Sequence, residues 1–342
     1  MKIVHNPEHH LHAPKTFIAR GRLVESKELP QRADFLNAGI ASLRHELVVP
    51  DDYGVVPVQL VHSQRYLDFL RDGHSLWSAL ADASPEIIPN VHPMIGVTHY
   101  PEGIVGRAGF HLSDTACPVG QNTWQAVLRG THAARHAAEL VANGEDAAYV
   151  LTRPPGHHAG IERAGGFCYL NNTAVAAAFL ATQAKRVAIV DIDVHHGNGT
   201  QEIFYQRSDV LHVSLHADPS SFYPFFSGYA GEDGENAGRG YNLNVPLPFG
   251  TDDASYLAAL DQTLQTVTAF RPEVLVVALG LDIYENDPLR AFAITEEGFS
   301  AIGKTLARLG LPTVLVQEGG YLAPELGSNL NKFLRGFESG RG

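Results

Sequence analysis

Five short runs in this chain are almost continuously apolar and β-branched, and each is followed within a few residues by groups able to bind metal or move protons. They are Ala148 to Leu151, Val187 to Val190, Val210 to Ser214, Val274 to Ala278 and Thr313 to Val316. A run this apolar, without polar alternation, suits a strand covered on both faces, as strands of parallel sheets are. Parallel neighbours need crossovers, and helix-like stretches lie between several runs, among them Asn172 to Gln183 and Ala254 to Phe270. The pattern predicts an α/β fold with one central parallel sheet flanked by helices. In such sheets the carboxyl ends of the strands share one edge where sites are built, so motifs far apart in sequence are expected to meet there.

The run at 187–190 continues as Asp191-Ile192-Asp193-Val194-His195. Continued strand alternation would put Asp191, Asp193 and His195 on one face, where three polar groups under a covered sheet call for a bound cation. Asp282 leaves the run at 274–278 in the same way and completes a two-carboxylate, one-imidazole set. Three protein ligands leave coordination positions open, as a catalytic metal requires. After the run at 148–151, a proline-stiffened turn presents His157 and His158, a pair suited to accepting and returning a proton near neutral pH. The last run closes on Gln317-Glu318-Gly319-Gly320-Tyr321, whose glycines can aim the Tyr321 phenol at a developing oxyanion.

Taken singly, most of these residues have plain structural readings: a capping Asp, a surface His pair, a core Tyr. Their convergence on one sheet edge is what gives them chemical weight. One motif is set aside. Gly298 to Thr305 has the spacing of a phosphate-binding loop, yet Thr295-Glu296-Glu297 reads as a helix start, and Phe299, Ile302, Leu306 and Leu309 form an apolar stripe. Two long stretches, Ser84 to Gly120 and Asp218 to Gly240, lack apolar periodicity. The second carries Phe222, Tyr223, Phe225, Phe226 and Tyr229 among glycines. Excursions this long usually serve binding or assembly.

Composition narrows the function classes. The chain has 25 Lys plus Arg against 37 Asp plus Glu, a formal charge of −12, the wrong sign for holding a nucleic-acid backbone and the right one for a cationic ligand. Cys117 and Cys168 are the only cysteines among 342 residues, too few for the disulfide framework of a secreted protein. The N-terminus lacks a signal-peptide pattern and no apolar run is long enough to cross a bilayer, so a soluble, cytoplasmic protein without membrane partners is expected.

Through R-P-P-G-H-H-A-G at 153–160, D-I-D-V-H-H-G-N-G-T-Q at 191–201, V-S-L-H at 213–216, L-G-L-D at 279–282 and E-G-G-Y at 318–321, the chain resembles the histone-deacetylase superfamily. It is most similar there to bacterial acetylpolyamine amidohydrolases. The resemblance spans nearly the whole chain and implies a single arginase/deacetylase-like domain over residues 1–342. The expected reaction is hydrolysis of an N-acyl amide, acetyl above all, on a small cationic amine such as an acetylated polyamine. Acetyl-lysine in proteins or a small catabolic amide is the alternative substrate. A non-catalytic acyl-amine sensor and a two-manganese, arginase-like hydrolase are the competing classes; the filled chemical positions, Tyr321 and the His157-His158 pair speak against both.

By the same resemblance, Asp193, His195 and Asp282 would hold zinc, with iron(II) as the alternative metal. His158 would be the proton shuttle and His157 its electrostatic partner, with Asp191 and Asn198 orienting the two rings and Tyr321 polarising the carbonyl. Gly166, Phe167 and Tyr223 would line the substrate tunnel. A structural potassium would take Asp191, Ser214 and main-chain carbonyls of Asp193, His195 and Leu215. The chain departs from the family in carrying Asn198 where some deacetylases have Asp, and Val105 where polyamine-selective relatives place an acid. Glu102 and Asp114 are the nearby substitutes, and an acidic tunnel mouth is expected. The 84–120 insertion is expected to mediate a homodimer and wall the neighbour's tunnel.

Overall fold

The computed structural model describes residues 1–94, 96 and 99–342. The strands are β1 (Lys2–His5), β2 (Thr16–Ala19), β3 (Arg22–Glu25), β4 (Glu46–Val48), β5 (Ala147–Leu151), β6 (Val187–Asp191), β7 (Val210–Ala217), β8 (Asn242–Leu247), β9 (Val274–Leu279) and β10 (Thr313–Gln317). The helices are α1 (Gln31–Ile40), α2 (Gln64–Ser78), α3 (Ile104–His111), α4 (Thr123–Ala142), α5 (Asn172–Leu180), α6 (Asn198–Phe204), α7 (Asp253–Phe270), α8 (Glu296–Ala307) and α9 (Leu326–Arg341). Eight strands form one sheet in the order β4-β1-β5-β10-β9-β6-β7-β8, and every pairing in it is parallel. β2 and β3 form a separate antiparallel hairpin.

The apolar runs are buried twice over. Within a strand, successive side chains enter opposite layers: Val187 and Ile189 join one cluster, Ala188 and Val190 the other, and the same division runs through β5, β9 and β10. One layer holds apolar side chains of α1, α7, α8 and α9, the other those of α2, α4 and α5. This double covering is why the central strands read as continuous apolar runs.

Helix starts follow local chemistry. Asn171, Asp252 and Thr295 each accept a hydrogen bond from a backbone N–H in the first turn of α5, α7 and α8. The phosphate-loop spacing at 298–305 lies wholly inside α8, with Phe299, Ile302 and Leu306 buried. The 84–120 excursion is clipped at its base, where Ile87 and Val119 exchange backbone hydrogen bonds of 2.9 and 3.1 Å, and it contains α3. Positions 95, 97 and 98 of that excursion lie outside the described residues. Among the described residues, no helix is long and apolar enough to cross a membrane.

Candidate active site

The carboxyl ends of β5, β6, β9 and β10 lie side by side in the sheet, and their outgoing turns meet. Asp193 and His195 follow β6, and Asp282 follows β9. Backbone N–H groups set the two carboxylates: His195 N donates to Asp193 Oδ1 (2.9 Å), Gly319 N to Asp193 Oδ2 (2.8 Å) and Val194 N to Asp282 Oδ1 (3.0 Å). One ligand atom from each of Asp193, His195 and Asp282 lies within 4.8 Å of the others, and all three residues are buried. His195 Nδ1 is 3.0 Å from Asp193 Oδ1 and 3.2 Å from Asp282 Oδ2.

Two further facts suit these residues to a cation. Asp282 Oδ2 is buried and makes no hydrogen bond. Burial and the neighbouring Asp193 carboxylate push the Asp282 carboxyl up to about 7, the response of an acid held beside another acid without enough positive charge. Two carboxylate oxygens and one imidazole nitrogen are also the donor types that divalent zinc and iron take. The residues present therefore fit a divalent metal.

Asp191 does not join this group, which corrects the expectation that it shares a face with Asp193 and His195. β6 ends at Asp191, so strand alternation no longer governs the residues beyond it. Its Oδ2 instead lies 2.9 Å from His157 Nδ1, and its Oδ1 accepts from Asp193 N at 3.1 Å. Burial alone would lower His157, but Asp193 and Asp191 outweigh it and raise the imidazole to about 10. The Asp191 contact thus favours a proton on His157 Nδ1. His158 goes the other way: burial, then the His157 and His195 charges, push it well below the usual range. Its Nδ1 lies 2.7 Å from Asn198 Oδ1, and because a carbonyl oxygen only accepts, Nδ1 carries the proton and Nε2 the lone pair. The two histidines are therefore pushed in opposite directions, with ring centres 4.1 Å apart.

Tyr321 reaches the same place from the turn after β10. It is buried, its backbone N–H donates to Asp287 Oδ2 at 2.7 Å, and burial raises its phenol well above the ordinary range, so it remains a proton donor. Glu318 joins the two turns: its carboxylate accepts from Gly156 N (2.5 Å), His157 N (3.0 Å) and Thr173 Oγ1 (2.6 Å). Ser214, opposite Asp191 in the β6–β7 register, has its hydroxyl 2.8 Å from His216 Nδ1.

A cavity of about 900 Å³ opens over this edge, with His158, His195 and Tyr321 on its lining and Gly166, Phe167, Phe222 and Tyr223 among its walls. Gly166 sits at φ +53°, and a Cβ there would collide with the His158 ring, so glycine is what lets the wall approach the imidazole. Tyr223 packs edge-on against His158 at 4.9 Å and donates from its hydroxyl to Asp114 Oδ2 (2.7 Å), which also accepts from Gly166 N (2.9 Å). Asp114 therefore braces two walls instead of standing free for a ligand. Glu102 is exposed and does not line the cavity. The expected acidic mouth is corrected for this chain: the described lining carries Arg20, Arg22 and Arg290 and no carboxylate. Sequence reasoning also missed the β2–β3 hairpin, which contributes Phe17, Arg20, Arg22 and Val24. A four-residue, half-exposed strand gives little periodic signal, and nothing local marks it as part of a site at the far end of the chain.

Comparison with known proteins agrees with this geometry. The histone deacetylase domain pattern matches residues 26–337. The chain is 43% identical to an acetylpolyamine amidohydrolase of Burkholderia pseudomallei over 98% of each chain, and 40% identical to that of Mycoplana ramosa over 98% of this chain and 99% of that one. A crystal structure of acetylpolyamine aminohydrolase from Burkholderia pseudomallei superposes with a TM-score of 0.97 at 42% identity, covering both chains in full. The chain belongs to the histone deacetylase family. Its fold is that of the family, and it is a metal-dependent type of amidohydrolase. Within the histone deacetylase domain, four of the five motifs quoted above run into the turns that build this site, and V-S-L-H lies within the neighbouring strand β7.

Proposed function

We propose that this protein removes the acetyl group from a small acylated amine of the acetylpolyamine kind, using a divalent metal held by Asp193, His195 and Asp282. Zinc is the metal favoured by the donor set, with iron(II) the alternative. The observation that carries the reading is that His195, His158 and Tyr321 line one cavity while the carboxylates of Asp193 and Asp282 gather on His195 beneath it. When bound, the metal supplies Lewis acidity for the acyl carbonyl and for the attacking water. His158 Nε2 takes the proton from that water and delivers it to the departing amine nitrogen. Asn198 fixes the tautomer that makes this possible, and Asp191 holds His157 as the nearby positive charge. The Tyr321 hydroxyl donates to the oxyanion. Gly166, Phe167 and Tyr223 clasp a slender acyl-amine chain and keep water from its length.

The same reading assigns a structural potassium to Asp191, Ser214 and the main-chain carbonyls of Asp193, His195 and Leu215, supported by the adjacency of Asp191 and Ser214 across β6 and β7. It assigns a homodimer through the 84–120 excursion. Because this chain's own rim is basic, acids that receive a polyamine ammonium would come from the excursion of a second copy, Glu102 included. The test is a turnover panel on metal-loaded protein: acetylputrescine, acetylcadaverine and acetylspermidine against an acetyl-lysine peptide. Acetylated diamines should be the faster substrates; preference for the peptide would overturn the polyamine assignment and leave a general deacetylase.

A further inference from the structure

Glu28 precedes α1 and is fully buried. It accepts the fork of Arg153, Nε to Oε1 at 2.9 Å and Nη2 to Oε2, and its Oε1 also accepts from Arg32 Nη1 at 2.8 Å. Both guanidiniums are buried as well. Arg153 begins the turn that presents His157 and His158. Arg32 donates to the carbonyl oxygens of Gly320 (2.6 Å) and Glu318 (2.7 Å), in the turn that presents Tyr321, and its guanidinium lies 4.8 Å from the centre of the Tyr321 ring.

Burying one carboxylate between two guanidiniums is poor value as stabilisation, since apolar side chains of similar volume often do as well or better. What the arrangement supplies is geometry. Bidentate guanidinium–carboxylate contacts fix distance and angle together, and here they join the turns after β5 and β10 through one shared group. We infer that Glu28 is a positioning residue for the hydrolysis, setting the spacing between the His157–His158 turn and Tyr321 through Arg153 and Arg32. The inference rests on the reading that these side chains carry the reaction; Glu28 itself lines no part of the cavity.

The test uses the metal-loaded, full-length protein with acetylputrescine. Glu28→Gln removes the shared charge, Arg153→Met leaves Glu28 and Arg32 as a balanced pair, and Arg153→Lys keeps charge without the fork. A misplacement on the ångström scale costs about 10²-fold in rate, so kcat should fall by that order in Arg153→Met while KM and bound metal stay near the wild-type values. Arg153→Lys should recover little of it. In the Glu28→Gln/Arg153→Met double variant the loss in kcat should be smaller than the product of the two single losses, because both break the Glu28–Arg153 link, although Arg153 also donates to the carbonyls of His9 and His12 and Glu28 also holds Arg32. Should Glu28→Gln fail to fold, the two Arg153 variants decide the question. Wild-type kcat in folded Arg153→Met, or a KM that rises as kcat falls, overturns the inference. Hydrogen exchange reads the strap without turnover: Glu28→Gln should loosen residues 156–158 and 319–321 together, whereas uniform loosening of the sheet would reduce Glu28 to a stabilising group. If the wild type hydrolyses no acylated amine, the functional reading falls, and the exchange pattern alone supports or overturns the strap.

Discussion

Tyr321 and His158 face one cavity from opposite turns; the bond from Tyr321 to Asp287 is made by its backbone and survives in the Phe variant, and His158 bonds through its ring only to Asn198, so their removal should be separable from folding. Tyr321→Phe deletes one oxyanion donor and is expected to lower kcat by about 10²–10³. His158→Ala deletes the free base and should cost about 10²–10⁴. Both variants should keep bound metal by elemental analysis; a near-normal rate in Tyr321→Phe would mean that the metal alone polarises the carbonyl. Glu28 makes a different prediction. Burial would raise its carboxyl, but Arg153 and Arg32 outweigh burial and hold it at about 2, below its ordinary 4.5. A depressed value means that its ionisation stabilises the fold above about pH 4.5 and that this contribution drains away as pH falls toward about 2. The melting-temperature deficit of Glu28→Gln should accordingly be full at pH 7 and shrink across that acid window; a deficit independent of pH would contradict it. Asp193, His195 and Asp282 were legible in the sequence because polar residues at the ends of buried strands are conspicuous. Glu28 and Arg32 were not, since an acid and an arginine four apart before and within a helix look like an ordinary surface pair until the fold buries them.

The central strands announced themselves and the peripheral ones did not. β5, β6, β7, β9 and β10 lie within a residue or three of their expected bounds, because burial on both faces leaves an apolar run that nothing else explains. β1 and β4 escaped notice: Lys2–His5 and Glu46–Val48 are short and carry polar or charged residues, as strands towards a sheet's edge do. The turns after the strands leave no room for a side chain at two of their glycines. A methyl group at Gly319 would run into Asp282 Oδ2 and Asp193 Oδ2, and one at Gly280 into Asp193. Gly319→Ala should therefore lose metal occupancy and activity together while far-ultraviolet circular dichroism stays native. Full occupancy by elemental analysis in that variant would show that the ligand turn has more room than its geometry implies.

At the scale of the whole molecule, the 84–120 excursion is closed at its base by the Ile87–Val119 pairing and reaches the site along its returning limb, where Asp114 braces two walls, Thr115 bonds to Ile18 of the hairpin and Ala116 lines the cavity. If it joins two copies, sedimentation should give a dimer, and removing residues 90–100 should yield a monomer whose KM for acetylputrescine rises more than its kcat falls. Intact protein sedimenting as a monomer would remove the dimer from the proposal. The alternation of apolar runs with helical stretches foretold the α/β class, but the basic rim could not be read from a net charge of −12, because three arginines gather at one opening from two distant segments. The hairpin that supplies two of them occupies Thr16–Ala19 and Arg22–Glu25, pairs with no strand of the main sheet, and ends one residue before the family domain begins at Ser26. It is an interchangeable part: a loop graft could re-key which molecules enter while leaving the lock's working parts untouched, so exchanging residues 16–25 between relatives should transplant substrate preference and leave the pH dependence of kcat where it was.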